Sequence, residues 1–400
     1  MLFVWQVLPC PAKAGFLKIR AFLGFWLESK KFGISAQDFH HPPRPELSEI
    51  PRYPHLPCSL LLYKYTCLPK VLIVWNANIF MKIAVAGASG RLGRRFLLYC
   101  IKNNLPATAL VRSKAPLGGL CSKIPCTLAD YSDERQLKEA LEGFTHLINI
   151  TGSTNTSLSA QELYGANVRT TEALLAAAPK TLERFVHISS IAVYGKKLSG
   201  VADEKSPRNA DDNYSKTKLE AEEKVIASSK KFKTIILQPG IIYGPTFTDG
   251  FYAVLKAIKN KKMKIIGSGK NHFPLVHCDD VAQGIAKACK ENVKSGSCFL
   301  LVQEPQMTQE ELVKTAAAAM GEPEPTEHIL PIVAKAGAGA TAFFSNLIGE
   351  APSLVPSMVD QLSCERRFSS KKAQEQLGWK STISFKTGVC EVVKEFLEKK

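Results

Sequence analysis

Tyr214 and Lys218 are the residues whose types and spacing best fit chemistry in this chain. They lie four residues apart in a run of helix-forming residues, so both side chains belong to one face of a helix. A free phenol ionises at about pH 10, and a nearby ammonium favours the phenolate. The pair could therefore move a proton, with Tyr214 as acid or base and Lys218 as the residue that lowers its pKa.

Ser190 is a third candidate, because it lies in the run HISSIAVYG, at the carboxyl end of a predicted strand ahead of that helix. The run is typical of a strand, and open α/β sheets bind ligands at the carboxyl ends of their strands. There Ser190 could hold a carbonyl or alkoxide oxygen beside Tyr214. A tyrosine and a lysine four residues apart also occur by chance as a surface pair, so the position after the strand is what favours catalysis.

A glycine-rich turn at 87–93 indicates a nucleotide site. An apolar run at 82–87 predicts a buried strand, and an apolar helical pattern follows at 91–103. Glycines at spacing three and three allow a tight turn, close approach to a pyrophosphate and close packing of the next helix, whose N-terminus faces the phosphates. Glycine triplets also occur in ordinary turns, and the flanking strand and helix are what favour a dinucleotide.

The order of the elements indicates the fold class. Strand patterns alternate with helical patterns, which is typical of an α/β fold with a doubly wound, parallel Rossmann sheet and right-handed crossovers. The predicted strands lie near 82–87, 106–112, 124–128, 146–151, 184–190, 233–239 and 298–303. The predicted helices are 91–103, 136–143, 162–178, 212–229 and 281–291.

The alternation also predicts the domain limits. Residues 81–245 plus 281–303 form an NAD(P)-binding Rossmann domain, and residues 246–280 plus 304–400 form a smaller C-terminal substrate-binding cap. Residues 1–80 differ, because they contain three of the four tryptophans and no regular period. We expect a disordered extension or a translated leader ahead of Met81. The alternative is a targeting or membrane-associating extension, although lysines interrupt its apolar run before a spanning length.

Charge and cysteine content limit the class of partner. The formal net charge is +16, but the lysine clusters have no interleaved aromatic residues, so we read them as solvated faces and expect no nucleic-acid partner. The 11 cysteines show no metal-ligand spacing and no secretory pattern. We therefore expect reduced thiols in a cytoplasmic protein, with no metal site and no transmembrane segment.

Five ordered motifs carry a resemblance to a known family. The segments GASGRLG, HISSIAVYG, YSKTK, QPGIIYGP and VHCDDVA resemble the extended short-chain dehydrogenase/reductase superfamily, with its NAD-dependent epimerases, dehydratases and hydroxysteroid dehydrogenases. The resemblance covers about residues 81–400. It implies a seven-stranded Rossmann sheet, a Ser-Tyr-Lys site at Ser190, Tyr214 and Lys218, and a homodimer through helices 161–178 and 212–229.

The resemblance also implies a set of cofactor-binding residues. Lys218 contacts the ribose, Asp130 the adenine, and the turn from Pro239 to Ile241 the carboxamide, while Asp280 ties two domains together. Asn167 resembles a helix asparagine that supports either the fold or catalysis. The full cofactor set is Gly87, Ser89, Gly90, Arg91, Leu92, Gly93, Arg112, Asp130, Tyr131, Thr151, Gly152, Tyr214, Lys218, Pro239, Gly240 and Ile241.

Cofactor choice depends on the end of the second strand. An acidic residue there accepts the ribose hydroxyls of NAD, but this chain has Arg112, with Arg91 in the glycine turn. Two guanidinium groups suit a 2′-phosphate. We therefore predict NADP, with NAD as the alternative and Arg91 as a solvated residue in that case.

Two departures from the family pattern concern the substrate. Gln238 replaces a common arginine before the proline of the sixth strand, and Phe273 stands where nucleotide-sugar enzymes carry an arginine for the diphosphate. The C-terminal half is more similar to hydroxysteroid dehydrogenases and dihydroflavonol reductases. We predict an oxidoreductase that transfers a hydride to or from a secondary alcohol or ketone.

Two other functions stay open. One is a nucleotide-sugar epimerase or dehydratase with tightly bound NAD, which would keep the same three catalytic residues. The other is a non-catalytic cofactor-sensing or RNA-associated scaffold, which the positive net charge of the chain suggests.

Overall fold

The structure is a computed structural model that describes residues 81–113, 115–155, 157–247, 249–338 and 356–398. It also describes a pair of short antiparallel strands, Leu60–Leu61 and Ile73–Val74. The chain divides into two units, Met1–Ile79 and Phe80–Lys400. Most of the extension for which a leader is expected lies outside the described residues. Among the described residues, no helix combines the length and apolar character that crossing a membrane requires.

A sheet of seven parallel strands forms the centre of the larger unit. The order across the sheet is β7-β6-β5-β4-β1-β2-β3. Strands β1 to β3 are added toward one edge and β4 to β7 toward the other, so the strand order reverses between β1 and β4. Ligands of such sheets bind at this switch point, beyond the carboxyl ends of the strands. The predicted fold class is confirmed. The strands are β1 (Ile83–Ala86), β2 (Ala107–Val111), β3 (Cys126–Leu128), β4 (His146–Asn149), β5 (Arg184–Ile188), β6 (Lys233–Pro239) and β7 (Ser297–Leu301).

Helices cover both faces of the sheet, as strands buried on both sides require. One face packs against α1, α7 and α10, and the other against α2, α4 and α5. The helices are α1 (Arg91–Lys102), α2 (Glu134–Leu141), α3 (Ala160–Tyr164), α4 (Thr170–Ala176), α5 (Asn213–Ala227), α6 (Asp249–Lys259), α7 (Cys278–Lys290), α8 (Gln309–Met320), α9 (Pro356–Ser363), α10 (Lys371–Leu377) and α11 (Phe385–Glu398).

A separate apolar cluster follows the carboxyl end of β6. It joins residues of α6, α8 and α11 around Tyr243, and includes Leu255, Val313 and Val389. A short strand, Ile241–Tyr243, runs parallel to Leu275–His277 and connects this cluster to the sheet. The proposed division into a Rossmann domain and a cap stays a prediction, and residues of α10 pack with the core of the sheet rather than with this cluster.

Candidate active site

The glycine turn between β1 and α1 has the shape of a dinucleotide cradle. Gly87 has a φ of +81°, and a Cβ there would lie 2.7 Å from the carbonyl carbon of Ile150. A Cβ on Gly93 would collide with the carbonyl oxygen of Gly87, so α1 can approach the turn only with glycine. Gly90 is the N-cap of α1 and offers no side-chain cap, and the first turn holds no acidic residue. The open N–H groups of this turn suit an anion.

The predicted adenine side is built on Tyr131. Its hydroxyl accepts the N–H of Gly87 at 3.1 Å and donates to the carbonyl oxygen of Leu110 at 3.4 Å, which links the glycine turn to β2. Burial raises the pKa of Tyr131, so this phenol stays neutral. Asp130 accepts two hydrogen bonds from Ser132, which lower the pKa of its carboxyl group, and Arg112 lowers it further.

The remaining residues predicted in the glycine turn differ in their surroundings. Ser89 is exposed, whereas Leu92 is buried beneath the turn. The guanidinium of Arg91 lies over the ring of Phe247, 5.1 Å from its centroid. Arg112 is exposed directly after β2. Both cations are thus positioned near the turn, and Arg91 has in addition a cation–π contact.

Ser190 and Tyr214 lie next to each other, close enough for the serine hydroxyl to affect the pKa of the phenol. Ser190 follows β5 and caps a short 3₁₀ segment through the N–H of Ala192 at 3.1 Å, which fixes its rotamer. Tyr214 lies in the first turn of α5, which begins with a reciprocal cap between Asp212 and Ser215. Strand end and helix start therefore bring together two of the three predicted catalytic residues.

Lys218 lies one turn after Tyr214 and is only 4% exposed. Its ammonium donates to the carbonyl oxygen of Ile188 at 2.6 Å. Burial lowers the pKa of Lys218 to about 8, against the attraction of Glu222, which raises it. Burial also raises the pKa of Tyr214, while the Ser190 hydroxyl lowers it. At neutral pH the site therefore holds an ammonium and a protonated phenol.

Asn167 joins the turn after β4 to α5. Its side-chain oxygen accepts the N–H of Ser153 at 2.8 Å, and its amide nitrogen donates to the hydroxyl of Thr217 at 2.9 Å. The residue lies in a π-helical turn, Gly165–Arg169, between α3 and α4. Such turns are frequent at functional sites because they re-aim one side chain. Here the turn aims Asn167 at the residues around Lys218.

The turn at Thr151 and Gly152, two residues of the predicted cofactor-binding set, lies against this asparagine. Gly152 has a φ of +131°, and a Cβ there would lie 2.5 Å from the side-chain oxygen of Asn167 and 4.0 Å from the ammonium of Lys218. Thr151 donates its hydroxyl to the side-chain oxygen of Asn149 at 2.6 Å. The turn can therefore lie against Asn167 only because position 152 is a glycine.

The predicted carboxamide turn follows β6. Gly240 donates its N–H to the carbonyl oxygen of Leu301 at 3.0 Å, and Ile241 donates to that of Pro274 at 2.8 Å. A Cβ on Gly240 would collide with the carbonyl oxygen of Pro274. Ile241 keeps 43% of its surface exposed, so an apolar side chain remains open next to Pro239.

A buried polar network behind Lys218 was not identified from the sequence. Glu222, 1% exposed, accepts from the side-chain amide of Gln238 at 2.8 Å and lies 3.7 Å from the guanidinium of Arg208. The hydroxyl of Tyr194 donates to the side-chain oxygen of Gln238 at 2.9 Å, and the guanidinium of Arg208 lies over the ring of Tyr194. Burial raises the pKa of Glu222, whereas Gln238, Arg208 and Lys218 favour its ionised form. Glu222 lies four residues after Lys218, and this spacing in the sequence could have indicated that the two side chains share one face of the helix.

Phe273 lies in the apolar cluster beyond β6 and is 8% exposed. Its strand, His272–Phe273, pairs with Met307–Thr308, which turns the ring into the cluster. The neighbouring His272 contacts Glu365 at 2.9 Å. This position therefore supplies an apolar ring where a cation would be required for a diphosphate.

Three potential metal ligands, His277, Cys278 and Asp279, have their ligand atoms within 4.8 Å of one another. The carboxylate of Asp279 already accepts two nitrogens of Arg95 on α1. The next residue, Asp280, accepts the N–H and the hydroxyl of Thr382 at 2.9 and 2.7 Å. These contacts explain the acidic pair without a metal ion. Asp280 joins α7 to the C-terminal part of the chain, and its role in tying two domains together stays a prediction.

A family model described as the NAD-dependent epimerase/dehydratase family matches residues 83–299, which is more than half of the chain. The chain is 24% identical to an N-acetyl-α-D-glucosaminyl-diphospho-ditrans,octacis-undecaprenol 4-epimerase of Escherichia coli O157:H7, over 61% of this chain and 76% of that protein. It is 29% identical to 4-hydroxy-2-methyl-3-oxo-4-farnesyl-3,4-dihydroquinoline-1-oxide ketoreductase of Stigmatella aurantiaca, over 55% and 68%.

A third relative is 3β-hydroxysteroid-dehydrogenase/decarboxylase isoform 2 of Arabidopsis thaliana, at 22% identity over 76% of this chain and 58% of that protein. Among solved structures, UDP-glucuronic acid 4-epimerase from Bacillus cereus in complex with NAD superposes with a TM-score of 0.64 at 19% identity, over 80% of this chain and 99% of that chain. The structure of gox2253 has a TM-score of 0.65 at 22% identity, over 80% and 98%. At these identities the structures show a shared fold.

Proposed function

The chain belongs to the NAD-dependent epimerase/dehydratase family and is an enzyme of the extended short-chain dehydrogenase/reductase type; from this we propose that it transfers a hydride between NADP(H) and a secondary alcohol or ketone. The observation that carries the proposal is the proximity of Ser190 to Tyr214, with the ammonium of Lys218, one turn further along α5, held by the carbonyl oxygen of Ile188. A proton donor, an oxygen-binding hydroxyl and a fixed cation are the groups that carbonyl reduction requires of a protein.

The glycine turn fits the cofactor. A Cβ on Gly87 or Gly93 would collide with the protein's own backbone, so the glycines keep this turn tight, and the first turn of α1 has no acidic residue. These residues would hold the pyrophosphate, Lys218 the ribose hydroxyls, and the turn after β6 the carboxamide. When bound, the cofactor supplies the hydride that converts a ketone to an alcohol, or accepts it in the reverse reaction.

The protein's own part is proton transfer and orientation. The raised pKa of Tyr214 keeps its hydroxyl protonated at neutral pH, so it can donate to a substrate carbonyl oxygen. Ser190 would donate to the same oxygen and hold it beside the phenol. The phenolate left after donation is stabilised by the ammonium of Lys218, whose position the carbonyl oxygen of Ile188 fixes. These protonation states favour the reductive direction.

We assign NADP as the cofactor, with NAD as the alternative. Arg112 is exposed at the end of β2, where an acidic residue would accept the ribose hydroxyls of NAD. A guanidinium there can pair with a 2′-phosphate, and the nearby Arg91 adds a second positive charge.

We further propose an apolar substrate. Phe273 supports this, because its position offers no cation to a diphosphate. The names of two relatives include a farnesyl group and a steroid, which are both apolar. Leu330, Ile332 and Val333 are exposed at 67%, 76% and 51%, which is a concentration of apolar surface in the part of the chain after α8.

We propose a cytoplasmic location, which the spacing of the cysteines in the sequence supports. The alternative function is a nucleotide-sugar epimerase or dehydratase that retains NAD. It is favoured by the first relative and by the structural neighbours, several of which bind NAD.

The deciding experiment is a fluorescence titration of the purified protein with NADPH and NADH, combined with denaturation to release any retained cofactor. We expect tight NADPH binding and no released nucleotide, followed by NADPH consumption with a ketone from a panel of steroid and long-chain alkyl ketones. Stoichiometric release of NAD would reject the reductase and select the epimerase or dehydratase.

A further inference from the structure

Cys121 and Cys126 lie with their sulfur atoms 2.8 Å apart. Both side chains are partly buried, so small molecules can still reach them. Four other thiols differ, because they are buried: Cys100, Cys278, Cys289 and Cys298. A reactive thiol has to be accessible and able to ionise, and a second thiol in contact can resolve its oxidised form.

The two cysteines lie at the end of the connection between β2 and β3. Cys121 belongs to the 3₁₀ segment Ala115–Ser122, which follows Arg112 closely. Cys126 is the first residue of β3 and stands opposite Ala109 of β2. The contact between the two cysteines therefore holds the 3₁₀ segment, which follows Arg112, against the first residue of β3. Leu117, 1% exposed, anchors the same segment in the core.

We propose that Cys121 and Cys126 are a redox pair that a small-molecule disulfide, such as oxidised glutathione, converts to an intramolecular disulfide that tightens NADPH binding. One thiolate attacks the glutathione disulfide and releases one glutathione thiolate. The second thiolate attacks the resulting mixed disulfide, forms the bond between Cys121 and Cys126, and releases the second. The two protons pass to the released thiolates, so two protein thiols are oxidised while one glutathione disulfide is reduced.

The effect on the cofactor rests on the proposed role of Arg112. Because the sulfur atoms already touch, bond formation keeps the 3₁₀ segment close to its observed position. The bond restricts this segment before the cofactor arrives, so less conformational entropy is lost on binding. We expect the oxidised protein to bind NADPH about two- to fivefold more tightly than the reduced protein.

The disulfide itself is tested by peptide mapping. The full-length protein is equilibrated with glutathione at graded ratios of oxidised to reduced form, free thiols are blocked in acid, and the protein is digested with trypsin without reduction. Cleavage after Lys123 separates the two cysteines, so the disulfide joins peptides 115–123 and 124–135. We expect this joined pair to increase with the oxidised fraction and to disappear on reduction.

The variants Cys126→Ser and Cys364→Ser provide the matched comparison. Cys126→Ser removes the joined peptides, whereas Cys364→Ser, which removes another partly buried thiol, leaves them unchanged. Two separately blocked peptides at every ratio, or glutathione retained on Cys121 alone, would overturn the proposal. This readout does not involve the cofactor and is independent of the proposed function.

The coupling is tested by titrating oxidised and reduced protein with NADPH. We expect the lower dissociation constant in the oxidised wild-type protein, and equal constants after both treatments in Cys126→Ser. Equal constants in the wild-type protein would refute the coupling. Joined peptides without any NADPH binding would instead reject the proposed cofactor, which distinguishes the two failures.

Discussion

The ammonium of Lys218 donates a 2.6 Å hydrogen bond to the carbonyl oxygen of Ile188, the last residue of β5. Two residues later the chain reaches Ser190, so this bond joins α5 to the strand end that carries the oxygen-binding serine. The bond fixes the position of the Lys218 ammonium relative to the strand end at Ser190. The charged ammonium is a stronger donor than the neutral amine, and the lowered pKa of Lys218 makes this charge sensitive to mildly alkaline pH.

The first prediction concerns this pH dependence. Burial lowers the pKa of Lys218 to about 8, so its positive charge is lost as the pH rises through that value. The neutral amine no longer stabilises the phenolate of Tyr214. We expect kcat/KM for ketone reduction to be level near neutral pH and to fall about tenfold per unit well above pH 8. Lys216→Met, which changes an exposed lysine of the same helix, should keep the same profile.

The second prediction concerns Glu222 as a positioning residue. Its negative charge raises the pKa of Lys218. Glu222→Gln removes this contribution, so the pKa of Lys218 falls further under the effect of burial. We expect the alkaline fall of the pH profile to move to lower pH by about half a unit to one unit. Glu223→Gln removes an exposed charge from the next position and should leave the profile in place. An unmoved profile in Glu222→Gln, with the protein folded, would assign Glu222 to structure alone.

The third prediction tests the proton donor. Tyr214→Phe removes the hydroxyl that we assign to proton transfer and leaves the ring, so the fold and the cofactor site should persist. We expect kcat to fall by about 10²- to 10⁴-fold, with the NADPH dissociation constant changed less than about twofold. Tyr164→Phe on α3 is the control and should keep full activity. Wild-type kcat in Tyr214→Phe would remove Tyr214 from the mechanism.

The fourth prediction concerns cofactor choice. Arg112→Asp replaces the exposed guanidinium after β2 with a carboxylate, which repels a 2′-phosphate and can accept ribose hydroxyls. We expect the NADPH dissociation constant to rise by about tenfold or more, and that of NADH to change little or to fall. Arg135→Asp, at a largely exposed position of α2, controls for the change in net charge. If both cofactors weaken equally, Arg112 does not read the phosphate.

The fifth prediction concerns the glycine cradle. Gly93→Ala places a methyl group against the carbonyl oxygen of Gly87, so α1 must move away from the turn. Overpacking of this kind costs about 1–3 kcal/mol, and we expect a lower melting temperature together with loss of NADPH binding. Gly119→Ala has no atom within 4 Å of the added group, and it should retain both. Normal NADPH affinity in Gly93→Ala would argue against a pyrophosphate at this turn.

The fold was predictable because its signals are local. The apolar run of β1, the three glycines and the helical pattern of α1 follow one another within about twenty residues, and the other strands repeat the pattern. The placement of Tyr214 and Lys218 on one helix follows from spacing alone. Their catalytic and cofactor-binding roles stay predictions, because geometry without a bound substrate does not test them.

The network behind Lys218 could not be predicted in the same way. Arg208 comes from a loop, Glu222 from α5 and Gln238 from β6, so their contact depends on how crossovers place distant segments. Gln238 was recognised as a departure from the family pattern, but its partners were not. The π-helical turn at Gly165–Arg169 is equally hidden, since a shift of hydrogen-bond register leaves no compositional signature.

Two adjacent carboxylates at the start of α7 have a consequence for local unfolding. Asp279 holds Arg95 of α1, whereas Asp280 holds Thr382 and Ile383 near the C-terminus. Separation of the C-terminal segment would leave the buried carboxylate of Asp280 without these donors, which opposes local opening at this junction. Amide hydrogen exchange at Ile383, whose N–H donates to Asp280 at 3.3 Å, therefore reports on the opening of this junction.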